Sequence, residues 1–166
     1  MPVKDDTFAT RRHLPHLQRP GRSYFVTFST REREVLVPAA RDIVYETVIR
    51  EHGTSTHLYA LVVMPDHVHF IATPYSDQPL PDLMQRIKSV AVHRINRQLH
   101  RSGPLWQDES FDRIVRSDEN LRKKGEYLCA NPVRAGLVAD VSAYRWIWRE
   151  WVEGQAGRLS STSLSH

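Results

Sequence analysis

An α+β fold is predicted for this chain, and three observations predict it. Segments with strand-type alternation and helix-type periodicity follow one another in the order β-α-β-β-α-β-α. Two apolar strands, at about 57–63 and 67–73, are separated by little more than Pro65-Asp66, so they close as a hairpin. The 166 residues show no repeat, and they suit one compact domain with a real core.

Residues 1–21 are basic, Pro-containing and aperiodic, and read as an N-terminal arm. Tyr24-Phe25-Val26-Thr27-Phe28-Ser29 alternates aromatic and β-branched residues and makes the first strand. After Pro38, Ile43, Val44 and Val48 give a helix over Ala39–Glu51, which Gly53 stops. The hairpin strands follow. Pro79-Leu80-Pro81-Asp82 opens a second helix with Asp82 as its N-cap. Leu83, Ile87, Val90, Ile95 and Leu99 carry its period to about His100, short of Gly103. Phe111–Arg116 is a fourth strand. Ser117 or Asp118 caps a third helix over about 119–130, and Pro132 ends it.

The first six elements form the split βαβ, ferredoxin-like pattern: a four-stranded antiparallel sheet with helices on one face. The third helix is an addition at the C-terminal side. Ala143–Val152 is Trp-rich and is expected to pack on the domain, while 153–166 is a Gly/Ser-rich flexible tail. The expected organisation is an arm over 1–21, one domain over 22–152 and the tail.

Lys and Arg number 23 against 19 Asp and Glu, a net charge of +4, which favours a polyanionic partner. Cys129 is the sole cysteine, so no internal disulfide can form, which fits a reducing compartment. It is either a nucleophile or, more simply, a small helix residue. No 18-residue apolar run and no signal-peptide pattern occurs, so a soluble cytoplasmic protein is expected.

His67-Val68-His69 carries the first chemical signal. Alternate strand residues share a face, so the two imidazoles stand together with Cα atoms roughly 6.7 Å apart. Such a pair can converge on a divalent metal, or can simply be two polar residues on a solvated sheet face. Tyr127 and Asn131 carry the second signal. Four apart on a helix, they share a face. A tyrosine hydroxyl can be a nucleophile, and an asparagine carbonyl is a hard-oxygen ligand for Mg²⁺ or Mn²⁺. Should this helix cross near the histidines, His67, His69 and Asn131 would be the ligands, with Tyr127 beside the metal. The plainer readings are a half-buried amphipathic tyrosine and an Asn-Pro helix stop. Lys123, Lys124 and Arg134 flank this helix and can hold phosphate.

Taken together, several motifs carry a family resemblance. They are Met64-Pro65-Asp66-His67-Val68-His69, Trp106-Gln107, Phe111-Asp112-Arg113-Ile114-Val115-Arg116 and Tyr127-Leu128-Cys129-Ala130-Asn131-Pro132. With Arg11-Arg12-His13-Leu14-Pro15-His16 upstream, the chain resembles the REP-associated tyrosine transposases, over about residues 10–150. These are IS200/IS605-like Y1 transposases of the HUH endonuclease superfamily. The resemblance implies a bacterial enzyme with His67, His69 and Asn131 as metal ligands and Tyr127 as nucleophile. It implies Mg²⁺ or Mn²⁺ as cofactor, single-stranded DNA beside a REP-type hairpin as substrate, and a 5′-phosphotyrosine intermediate. No membrane partner is expected, and the chain is either a monomer or a homodimer. Within this frame Arg11, Arg12, His13 and His16 are candidates to grip the single strand. Arg94, Arg97 and Arg101, three and four apart, are candidates for a phosphate-tracking ridge on the second helix. The alternative is a catalytically silent hairpin-DNA or RNA binder of the same fold.

Overall fold

The structure is a computed structural model that describes residues 21–116 and 120–152. The expected arm and tail lie outside the described residues, apart from Gly21. In chain order the elements are β1 (Tyr24–Thr30), α1 (Pro38–Ile49), β2 (Thr56–Val63), β3 (His67–Pro74), α2 (Leu80–Gln98) and β4 (Trp106–Ile114). They continue with α3 (Leu121–Cys129), α4 (Asn131–Arg134) and β5 (Ile147–Arg149). The sheet order is β4-β1-β3-β2-β5, and each pairing between these strands is antiparallel. The first four strands and the helices between them form the split βαβ arrangement.

Alternation in the strands decides what each face of the sheet meets. Tyr24, Val26 and Phe28 of β1 and Val68, Phe70 and Ala72 of β3 pack with Ile43, Val44 and Val48 of α1 and Leu83, Ile87 and Ile95 of α2. This is the main core. Two ion pairs tie the helices over it: Arg86 holds Glu51 through two bonds of 3.0 and 2.9 Å, and Arg94 holds Glu46 at 2.9 Å. The opposite face carries a smaller core of Ala60, Val62, Met64, Ile71, Leu128, Cys129, Tyr144 and Ile147. There α3 lies across β2, with contacts to β3 and β5. A bulge at Tyr59, where β2 shifts register between Leu58 and Ala60, lets Leu58 face the first core and Ala60 the second.

Small residues bring α3 close to the sheet. A Cβ added to Gly125 would collide with the Trp151 ring and come within 3.3 Å of the Ala60 methyl. Glycine costs helix stability in mid-helix, and here the close approach requires it.

The structure corrects several expectations. The sheet has five strands, not four, because the Trp-rich segment supplies β5, pairing Ile147, Trp148 and Arg149 with β2. β4 begins at Trp106 rather than Phe111. Asp82 lies in the first turn of α2, whose N-cap is Pro79, so it caps nothing. Asn120 caps α3 through Lys123 N at 3.1 Å, while Ser117 and Asp118 lie outside the described residues. Pro132 does not end the helical path. It sits in the first turn of α4, where its missing N–H costs nothing. Among the described residues, no helix is long and apolar enough to cross a membrane.

Candidate active site on the second face of the sheet

His67 and His69 stand on the face that α3 partly covers, since Ile71, two residues on, belongs to its core. Their rings lie 4.7 Å apart between centroids, nearly perpendicular at 83°. The strand is central, paired to β1 and β2 on its two sides, so the backbone beneath the pair is held from both directions.

Each imidazole is oriented through Nδ1. Asp66 Oδ1 lies 2.6 Å from His67 Nδ1, and Thr27 Oγ1 lies 2.7 Å from His69 Nδ1. Asp66 is itself fixed by the hairpin. Its carbonyl accepts from Thr30 N at 2.9 Å and Thr30 Oγ1 at 3.1 Å, and the Pro65 carbonyl accepts from Leu36 N at 2.7 Å. Met64 N donates to His67 O at 2.8 Å, which closes the tight turn expected at Pro65-Asp66. Burial pushes the His69 imidazolium down to about 4, with help from the neighbouring His67 and the Arg134 charge. His69 is therefore neutral at physiological pH.

Tyr127 projects from α3 with 65% of its surface exposed. The Arg134 guanidinium lies over its ring, 4.1 Å from the centroid. Arg134 thus faces the tyrosine while its charge bears on His69, which links the tyrosine helix to the histidine pair. Asn131 Nδ2 donates to Leu128 O at 2.7 Å, so its Oδ1 points away from that carbonyl. Tyr127 and Asn131 belong to two helices that meet at Ala130, not to one continuous helix.

The other predicted residues divide. Lys123 is exposed on α3 and Lys124 is half-buried there. Arg94, Arg97 and Arg101 do not share one helix, since α2 ends at Gln98. Arg94 and Arg97 belong to α2, on the opposite face of the sheet, and Arg94 spends its guanidinium on Glu46 and Thr47. Arg101 lies beyond the end of α2 and donates to Asn96 Oδ1 at 2.7 Å. Arg11, Arg12, His13 and His16 lie outside the described residues. Cys129 is buried, and burial pushes its thiol up to about 12, which removes the nucleophile reading. Thr27 and Asp66 are the residues that sequence reasoning missed. The cross-strand register would have found Thr27, which pairs with His69.

The chain is 26% identical over 125 residues to a REP-associated tyrosine transposase of Escherichia coli, covering 74% of this chain and 73% of that one. It is 24% identical over 132 residues to a Haemophilus influenzae chain described as a REP-associated tyrosine transposase, covering 74% and 69%. A solved REP-associated tyrosine transposase, bound to a REP hairpin, shares the fold with a TM-score of 0.64. That match is 23% identical and covers 79% of this chain and 80% of the other. The family model for IS200-like transposases matches residues 21–128, so this chain belongs to the IS200-like transposase family, whose members are enzymes of the Y1 type.

Proposed function

We propose that this chain cuts and rejoins single-stranded DNA beside a hairpin, with Tyr127 as the nucleophile. The observation that carries the reading is the exposed Tyr127, with Arg134 stacked on its ring, on the helix that packs on the same sheet face as His67 and His69. The REP hairpin bound by the solved relative supports hairpin DNA as the substrate.

The donor set suits a divalent cation, Mg²⁺ or Mn²⁺. With both Nδ1 atoms engaged, the Nε2 lone pairs are the coordinating ends. The third protein ligand in this reading is a neutral oxygen, the Oδ1 of Asn131, four positions after Tyr127. A cation bound there would draw charge from a non-bridging oxygen of the scissile phosphate.

The chain's own residues supply the rest. Lys123, Lys124 and Arg134 hold the phosphate next to Tyr127. The phenolic oxygen forms a bond to phosphorus and gives up its proton. The bond from phosphorus to the 3′ oxygen breaks, and that oxygen takes a proton to become a free 3′-hydroxyl. The 5′-phosphotyrosyl link keeps the energy of the phosphodiester, so a second 3′-hydroxyl can reverse the step without ATP. One tyrosine makes one such link at a time.

A denaturing gel tests this. The wild-type chain and Tyr127→Phe are incubated with labelled hairpin DNA from the flanks of the gene, with Mn²⁺ or EDTA. A metal-dependent adduct that survives denaturation and is lost in Tyr127→Phe is expected. Cleavage without an adduct would replace the tyrosine with an activated water. Binding with neither cleavage nor adduct would support the catalytically silent DNA or RNA binder.

A further inference from the structure

Among the described residues, only half of the second face of the sheet is covered. α3 lies over β2 and reaches β3 and β5, and the β1–β4 half beside the histidines carries Phe25, Thr27 and Phe111. The register sets Phe111 opposite Thr27, and Thr27 opposite His69. Phe111, Thr27 and His69 therefore form one row across three neighbouring strands. At about 4.8 Å between strands, Phe111 stands roughly 10 Å from the His69 position.

Phe111 is 52% exposed, although a phenylalanine on a sheet face gains by being covered. Beside it, Arg113 lies over the Phe25 ring at 5.8 Å, and Phe25 meets the His69 ring edge-on at 6.0 Å. The surface is thus aromatic and cationic together, and it is continuous with the candidate site. Aromatic faces stack bases of any sequence, and guanidinium groups take both base faces and phosphates. A duplex stacks its own bases inside and offers no such face.

We propose that Phe111 and Arg113 form a stacking platform for unpaired nucleotides next to the scissile phosphate. Phe111 is the base platform, and Arg113, braced on Phe25, holds the backbone. This rests on the active-site reading above for what lies at the histidines, but the platform binds whether or not the strand is cut.

Fluorescence titration in the Tyr127→Phe background tests it, because that variant lacks the nucleophile. The probe is the hairpin from the flanks of the gene, with 2-aminopurine scanned through its single-stranded flank. At least one flank position is expected to be quenched on binding. Adding Phe111→Ala should abolish that quench and weaken binding on the order of tenfold. Phe111→Trp should keep both, and Phe111→Leu should behave as Phe111→Ala, which separates stacking from mere bulk. Circular dichroism of each variant checks that it is folded. Unchanged affinity and quench in folded Phe111→Ala would overturn the platform. So would an equal dependence on Phe111 with a blunt duplex probe. The wild-type adduct assay is scored separately. An adduct with no Phe111 effect defeats the platform alone, and a Phe111 effect with no adduct defeats the chemistry alone.

Discussion

The Thr27 hydroxyl lies 2.7 Å from His69 Nδ1, across the β1–β3 pair. It is the group that fixes which nitrogen of His69 faces outward. Thr27→Val keeps the β-branched shape and removes the hydrogen bond. Manganese affinity is expected to fall about 10–100-fold, the usual effect of losing a partner behind a ligand. Calorimetric titration with Mn²⁺ checks this, and an unchanged affinity would show that packing alone orients the ring.

Arg134→Gln should have two separate effects. Losing a charged contact to phosphate slows adduct formation about tenfold to a hundredfold at sub-saturating DNA. Its positive charge also helps hold the His69 imidazolium down, so the NMR titration of His69 should move up from about 4. A His69 titration that stays put would separate Arg134 from the histidine pair. Thermal stability should hardly change, because Arg134 is exposed.

Cys129 reports on the seat of α3. Its thiol should resist Ellman's reagent at pH 8 in the native chain and react at once in urea. The pH dependence follows from the same burial. Between 9.0, the ordinary thiol value, and about 12, the unfolded chain has lost a proton that the folded chain keeps. Stability therefore falls as pH rises through that window and is unaffected below it. Comparing the alkaline limb of urea melts with that of Cys129→Ala isolates the contribution.

Gly125→Leu tests the close approach of α3. The new side chain must displace the Trp151 ring and press on Ala60. A loss of about 1–3 kcal/mol is expected despite leucine's better helix propensity. Urea denaturation measures it, and a stabilised variant would mean that Trp151 yields freely.

Much of this molecule was legible in its residues. Tyr24–Ser29 and the His67 strand alternate so cleanly that their faces follow directly, and Pro65-Asp66 announces the hairpin. β5 was hidden because Ile147-Trp148-Arg149 is three residues long and both apolar residues are large, which leaves no period to read. The start of β4 was hidden because Gln107-Asp108-Glu109 are polar residues of an edge strand, where little burial is demanded. The His67-His69 pair and the spacing of Tyr127 from Asn131 stand in the sequence itself. Their supports, Thr27 and Asp66, depend on strand register and turn geometry, which spacing along the chain does not contain. The partner of Arg94 was hidden for a related reason. Helical spacing says which arginines are neighbours but not which carboxylates wait on the next helix, and Glu46 lay opposite Arg94.

Part of the seat of α3 lies downstream of it in the chain. Leu128 and Cys129 pack with Tyr144 and Ile147, and Trp151 closes against Gly125. During translation the helix bearing Tyr127 therefore leaves the ribosome before the strand and ring that hold it. Until residues through Trp151 have emerged, α3 has only the upstream strands β2 and β3 to rest on. The cover over the helix that bears Tyr127 is therefore complete only once Trp151 is in place.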